Sequence, residues 1–367
     1  MTRLTPRNYV GEWYGHRIYP AVRLTGSSVD DIRSRKCPFL SALSEQVRTC
    51  IKPENSQGVC TITTTATGGR GTGDTADWLV CPYRALTPSL LNAAVGRVFL
   101  AQAGRVLAIP ALNLSRAECV ARMRTVSSAG AKVFLFFQAK MGGELGIAGT
   151  DVSPEMSFDV TLVPAAFVGD TLVLGRYGIF EVQTMDFHGS YRSAVKALQS
   201  GLDLHGRDFP AVLRGNLEWA GREIEGPNVA NVFKRTFYQI ILKFSLAGHA
   251  DCAGVALGLP SAVWRSWQPH LGGPSFKRNK GIDMMKGSGR TGPKSSWILV
   301  FGSRRSSGGS PEHISVDRTI HVSPRSLLKA AFDDVPAAIE RNSTQGIRTL
   351  ILARMRTIYP KTEYRPR

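Results

Sequence analysis

The sequence predicts an α/β protein, and three observations carry that reading. Apolar runs with strand character alternate along the chain with segments whose apolar residues recur every three or four positions. Acids stand inside or beside several of those apolar runs. Four cysteines gather ahead of them, near the N-terminus. At 367 residues and 43% hydrophobic, the chain can bury a large core in one large or two modest domains.

Taken in order, the cysteines come first. Cys37, Cys50, Cys60 and Cys81 lie in the contexts RKCPF, RTCIK, GVCTI and LVCPY. Two are followed by proline, which removes a backbone donor and is expected to hold the local chain extended. Four thiolates suit tetrahedral zinc or iron, and such a site steadies a segment with little core of its own. The spacing lacks the paired CxxC knuckle, so four free thiols stay open as the alternative. Arg33, Arg35, Lys36 and Arg84 are the basic side chains this module is expected to present to a polyanion. Cys119 and Cys252 stand apart and read as small core residues.

The loop ATGGRGTGDTAD follows, glycine-rich but without the GK[ST] of a phosphate loop. Helical spacing marks residues 88–100 and 115–128, and KVFLFFQ at 132–138 reads as a strand. Two acid-bearing strands come next, around Asp159 and Glu181, then helices over 191–202 and 228–248. In the second helix Val232, Phe233, Phe237, Ile240, Ile241 and Phe244 define one buried face. Lys234, Arg235 and Lys243 are placed mainly off it. The runs 253–259 and 297–301 read as further strands.

The net charge of +18 and pI near 10 favour a polyanionic partner, and nucleic acid is the commonest. Residues 265–305 carry Arg265, Lys277, Arg278, Lys280, Lys286, Arg290, Lys294, Arg304 and Arg305 against the single acid Asp283. Glycine, serine and proline interleave them, so a cationic loop beside Trp264 and Trp267 is expected, suited to following a phosphate backbone. KTEYRPR adds a basic tail. No window approaches the ~20 apolar residues of a membrane span. The N-terminus lacks a signal-peptide core, so a cytoplasmic protein is expected.

Glu144, Asp159 and Glu181 are the acids in unusual surroundings. Glu181 and Gln183 stand at i and i+2 and so share one face of a strand. Acids converging near strand ends repel unless a divalent cation lies between them, which points to a hard-metal site. Lys140 and His188 are nearby candidates for charge and phosphate contact, or for plain structural roles. On residues alone the classes left open are a metal-dependent nuclease, including one of repair or homing type, and a non-catalytic DNA-binding regulator with a cysteine-metal module.

The order Glu144, Asp159, Glu181-Val182-Gln183 resembles the PD-(D/E)xK nuclease pattern, with glutamine where lysine usually stands. More closely, GHRIYP, CPFL, GVC, DWLVCPYRAL, GGELGI, SPEMSFD, EVQTMDFHGSY, EGPNVANVFKRTFYQ and VWRSW resemble the NotI-type restriction endonucleases. These stretches run from residue 15 to about residue 267; beyond 270 only WILVF and RTIYPKT continue the likeness. The resemblance implies a central mixed sheet flanked by helices over residues 91–262. It implies a four-cysteine module over 1–90, holding iron, with zinc the alternative, and a basic DNA-contacting region over 263–367 that completes the fold. It further implies a bacterial type II enzyme cutting both strands of a GC-rich palindrome as a homodimer, with a companion methyltransferase in the host. Glu144, Asp159, Glu181 and Gln183 become the expected catalytic residues. Asp159, Glu181 and Glu144 are expected to bind Mg²⁺, together with the Val182 carbonyl. Lys234, Arg235, Arg265, Lys277 and Arg278 are the expected DNA contacts.

Overall fold

The computed structural model describes residues 6–65, 75–101, 105–289, 291–292, 294–304, 311–361 and 363. Among them, ten strands form one large mixed sheet flanked by helices, so the α/β expectation holds. Tyr177–Val182 lies near its middle, antiparallel to Val160–Val168 and parallel to Cys252–Pro260. Ser296–Arg304 continues the parallel run and His313–Val322 returns antiparallel. On the other side come Lys132–Phe137 and Val106–Pro110.

Strand alternation divides the core between two faces. Phe180, Val182, Ala256, Trp297 and Leu299 join Leu90, Leu91, Ala94 and Val95 of the helix Pro88–Val98. That helix starts at Thr87, whose hydroxyl accepts from the Leu90 N–H, with proline in the first turn. Gly178 lets it sit close, since a Cβ there would meet the Val98 side chain at 2.5 Å. On the opposite face Ile179, Val255, Leu257, Leu259 and Val300 pack with Val232, Phe233, Phe237, Ile240 and Phe244 of the helix Val229–Ser245. Every residue of Cys252–Pro260 is buried, as expected of a parallel strand covered on both faces. Glu181 shares the face of Ile179 by its period-two spacing, which puts a carboxylate beneath the helix Val229–Ser245.

A second, four-stranded antiparallel sheet holds Asn8–Trp13, His16–Arg17, Val59–Thr64 and Ala76–Leu79. The Arg17–Glu312 ion pair joins it to the end of the large sheet. Arg17 pairs with Asp77 at 2.8 Å and with Glu312 at 2.6 Å. Arg84 pairs with Glu12 at 2.7 Å, both almost without solvent exposure, and also donates to the Ser303 hydroxyl at 3.2 Å. Arg84 is therefore a buried structural cation rather than a surface DNA contact; the guanidinium is committed to Glu12. Arg33 and Arg35 are exposed, and Lys36 is half-buried against Asp31.

Several expectations need correction. The Cys-Pro pairs hold extended backbone at Cys37 and Cys81 themselves, but the extension stops there: each cysteine stands at the N-cap of a short helix that begins at its proline, Pro38–Ser44 and Pro82–Ala85. Proline fits that first position because its missing N–H has no intrahelical partner there. The basic stretch is more ordered than a loop, since Phe276–Asn279 and Ile282–Met285 form a hairpin on the edge of the large sheet. Trp264 and Trp267 are core residues, 3% and 1% exposed, and offer nothing to a phosphate backbone. The helix Val335–Ile358 has no counterpart among the elements the sequence predicts. Cys119 and Cys252 are buried, as read. The glycine-rich residues 66–74, Arg290, Arg305 and most of the basic tail lie outside the described residues. Among the described residues no helix is long and apolar enough to cross a membrane.

Replacing Arg84 by alanine would strip the buried Glu12 of its ion-pair partner while the Thr61 hydroxyl still donates to it, with an expected cost of up to roughly 3–5 kcal/mol. Urea unfolding of Arg84→Ala beside the parent checks this; an unchanged midpoint would mean the pair contributes nothing to stability.

Candidate active site

The strands Val160–Val168 and Tyr177–Val182 pair in the register Ile179↔Thr161, Phe180↔Val160. Continued by one pair, that register sets Glu181 opposite Asp159, and opposed residues of an antiparallel pair project to one face. At Asp159 the ladder ends. The chain bends there, and Met156–Phe158 pairs instead with Leu145–Ile147 as a separate two-stranded sheet. The backbone groups left over are taken by the two acids. Val182 N–H donates to Asp159 Oδ2 at 2.9 Å, and Asp159 N–H donates to Glu181 Oε1 at 3.3 Å.

Where the two sheets part, a cleft of about 710 Å³ opens, lined by Asp159, Glu181, Gln183, Arg235, Thr236 and Lys243 among others. Asp159 is reached by solvent, whereas Glu181 is 7% exposed. Lys243 Nζ donates to Glu181 Oε2 at 2.5 Å and is itself buried. Gln183, beside them, has both ends of its amide engaged: Thr236 Oγ1 donates to its Oε1, and its Nε2 donates to the Thr184 carbonyl.

Crowding raises the pKa of both acids. Protein packed around Asp159 on the sides away from solvent raises its value; the Val182 N–H and Lys243 oppose this, and Glu144 adds to it. Glu181 is pushed up to about 7, first by burial and then by the charge of Asp159, against the pull of Lys243. Two hard-oxygen donors side by side, each discouraged from ionising, form a donor set whose chemistry fits a divalent cation.

Of the four expected catalytic residues, Asp159, Glu181 and Gln183 line one cleft. Glu144 is exposed and outside that lining, although its charge reaches Asp159. Lys140 and His188 are exposed and do not line it either. Among the expected DNA contacts, Arg235 is a cleft wall, in an exposed 2.7 Å pair with Asp186. Lys234 is its exposed neighbour. Arg265 is exposed on the short helix Ser261–Trp267, directly after Cys252–Pro260, at the end of the sheet where Glu181 lies. Lys277 and Arg278 are on the far edge hairpin, away from the cleft.

Sequence reading missed Lys243 and Thr236. Apolar spacing puts Lys243 mainly off the buried face, yet it is 6% exposed. Thr236, Ile240 and Lys243 fall at i, i+4 and i+7, one continuous stripe of the helix, and that spacing was the available signal.

The cysteines also gather. Cys37, Cys60 and Cys81 belong to one apolar cluster with Cys50 packed against it. Burial raises the thiol of Cys37 to about 11 and those of Cys60 and Cys81 upward, and the sulfurs act on one another. Leu40 N–H donates to the Cys37 sulfur and Gly58 N–H to that of Cys50. Among the described residues, however, no three or more His, Cys, Asp or Glu side chains are arranged to hold a metal ion. The thiols have the donor chemistry for zinc or iron without a formed coordination shell. Compared with known proteins, the chain matches no family model and no curated protein.

The raised carboxyl of Glu181 sets a pH dependence. Unfolded, it ionises near 4.5; folded, near 7. Its contribution favours the fold below about 4.5 and is lost as pH rises through about 7, a difference of roughly 3 kcal/mol between protonation states. Glu181→Gln is expected to flatten that part of the stability profile in metal-free buffer. Urea titrations at pH 5 and pH 8 check it, and equal slopes for parent and variant would refute it.

Proposed function

We propose that this chain is a Mg²⁺-dependent type II restriction endonuclease of the PD-(D/E)xK kind, hydrolysing DNA on both strands of a GC-rich palindrome as a homodimer. The observation that carries the reading is the paired Asp159 and Glu181 on the cleft floor, in a chain of net charge +18. A non-catalytic DNA binder would have no need to hold two acids together on the surface meant for a polyanion. The sequence resemblance to NotI-type enzymes supports the finer terms: restriction, the palindrome and the companion methyltransferase.

Asp159 and Glu181 would hold the cation, with the Val182 carbonyl as the expected third donor. Bound there, it supplies Lewis acidity toward the scissile phosphate and acidifies a water. The chain's own residues do the positioning. The backbone N–H groups of Val182 and Asp159 fix the two carboxylates, so neither needs to reorganise on binding. Arg235, in an exposed pair that contributes little in water, can exchange Asp186 for a phosphate oxygen. One catalytic cluster per chain requires two chains about a two-fold axis to cut both strands. The four cysteines would serve a structural iron or zinc, since a closed thiolate shell leaves no position for substrate.

Incubation with unmethylated GC-rich plasmid and Mg²⁺ is expected to give discrete fragments. Asp159→Ala and Glu181→Ala should abolish cutting while Asp159→Asn retains DNA binding by gel shift. Wild-type cleavage by either alanine variant would sink the site assignment; no cutting by the parent would favour the regulator, and smearing a looser nuclease. Purified protein should carry one iron or zinc per chain by elemental analysis, and Cys60→Ser should lower the melting temperature sharply. Substoichiometric metal in a folded, active protein would remove the thiolate site.

A further inference from the structure

We propose that Lys243, carried by the helix Val229–Ser245, supplies the positive charge that the nuclease pattern places two residues beyond its second acid. The inference rests on the nuclease reading above. In that pattern a lysine would stand at position 183, next to Glu181 on the same strand face. Here Gln183 is neutral, and both ends of its amide are occupied by Thr236 and the Thr184 carbonyl. It can neither bring a charge nor freely orient a water at the acids.

The helix provides the charge. Its stripe Thr236, Ile240, Lys243 runs along the strand end so that Thr236 meets Gln183 while Lys243 meets Glu181. The ammonium lies 2.5 Å from Glu181 Oε2 and stands over the ring of Phe158, 5.8 Å from Nζ to the centroid. This is a cation on the inner wall of the cleft rather than a surface lysine, because both partners are less than a tenth exposed. A phosphate brought to the exposed Asp159 would come next to that charge. Lys243 thus holds Glu181 in place and offsets negative charge beside it, as a positioning residue. Gln183 acts as the anchor that fixes the helix at the register where Lys243 reaches.

The division of labour is tested by moving the charge back to the strand. On the GC-rich plasmid with Mg²⁺, Lys243→Met is expected to lower kcat on the order of 10²–10³-fold. DNA affinity by gel shift should stay within about twofold, since the ammonium is buried beneath the binding surface. Lys243→Met combined with Gln183→Lys should recover at least tenfold of the loss, and Lys243→Arg should retain part of the activity. Circular dichroism melts of each variant separate misfolding from chemistry. Cleavage by Lys243→Met at the parental rate would overturn the proposal. So would a folded, DNA-binding double variant no faster than Lys243→Met. Asp159→Ala run alongside keeps the two readings apart: if the parent fails to cut, or Asp159→Ala cuts normally, the nuclease assignment fails. If only the Lys243 results go against expectation, that assignment stands and the charge transfer falls.

Discussion

At Asp159 the ladder between Val160–Val168 and Tyr177–Val182 runs out of backbone partners, and two side chains take their place. A buried N–H left unpaired costs free energy comparable to a lost hydrogen bond, so the end of a strand pair inside a protein needs substitutes. Here the substitutes are carboxylates, and each clasps the backbone of the strand opposite. The arrangement has a price in electrostatics, which appears as the raised pKa values of both acids. It also fixes where the cleft is, because the chain that turns away at Asp159 becomes the cleft's other wall.

The helix Val229–Ser245 completes the arrangement. Its apolar face docks on the sheet through Val232, Phe237, Ile240 and Phe244, burial that typically contributes about 1.5–3 kcal/mol for each such side chain. That docking brings Lys243 to Glu181. Removing the lysine's charge would leave a carboxylate under a helix with one cation fewer, so packing and electrostatics are coupled through one element. The second sheet adds rigidity at the same end of the molecule through Arg17, Glu312, Arg84 and Glu12.

Much of this was legible in the residues. The strands around Asp159 and Glu181 announced themselves because acids are rare inside apolar runs, and period-two spacing put Glu181 and Gln183 on one face. The helices over 88–98, 117–128, 192–205 and 229–245 followed from apolar periodicity. What escaped were residues whose burial depends on partners far along the chain. Arg84 is buried because Glu12 is there to meet it, and Lys243 because Glu181 is. Neither partner can be read from local sequence: the stripe of Thr236, Ile240 and Lys243 marks a buried face, but not the distant acid that lets a lysine stand on it. The edge hairpin at 276–285 was hidden by its charges, which suit an edge strand as well as a loop.

The small sheet of Leu145–Ile147 and Met156–Phe158 has little of its own to hold it. Leu145, Gly146 and Ile147 are all exposed, and only Phe158 is buried at the joint. Its backbone hydrogen bonds should therefore open at much lower free energy than those of Cys252–Pro260, with amide hydrogens exchanging well ahead of the main sheet. Glu144 stands at the foot of this weakly anchored ribbon and Asp159 at its joint with the rigid core. The first can be displaced without unfolding the second; under the proposed nuclease function, that would separate a carboxylate able to approach a substrate from those already held in wait.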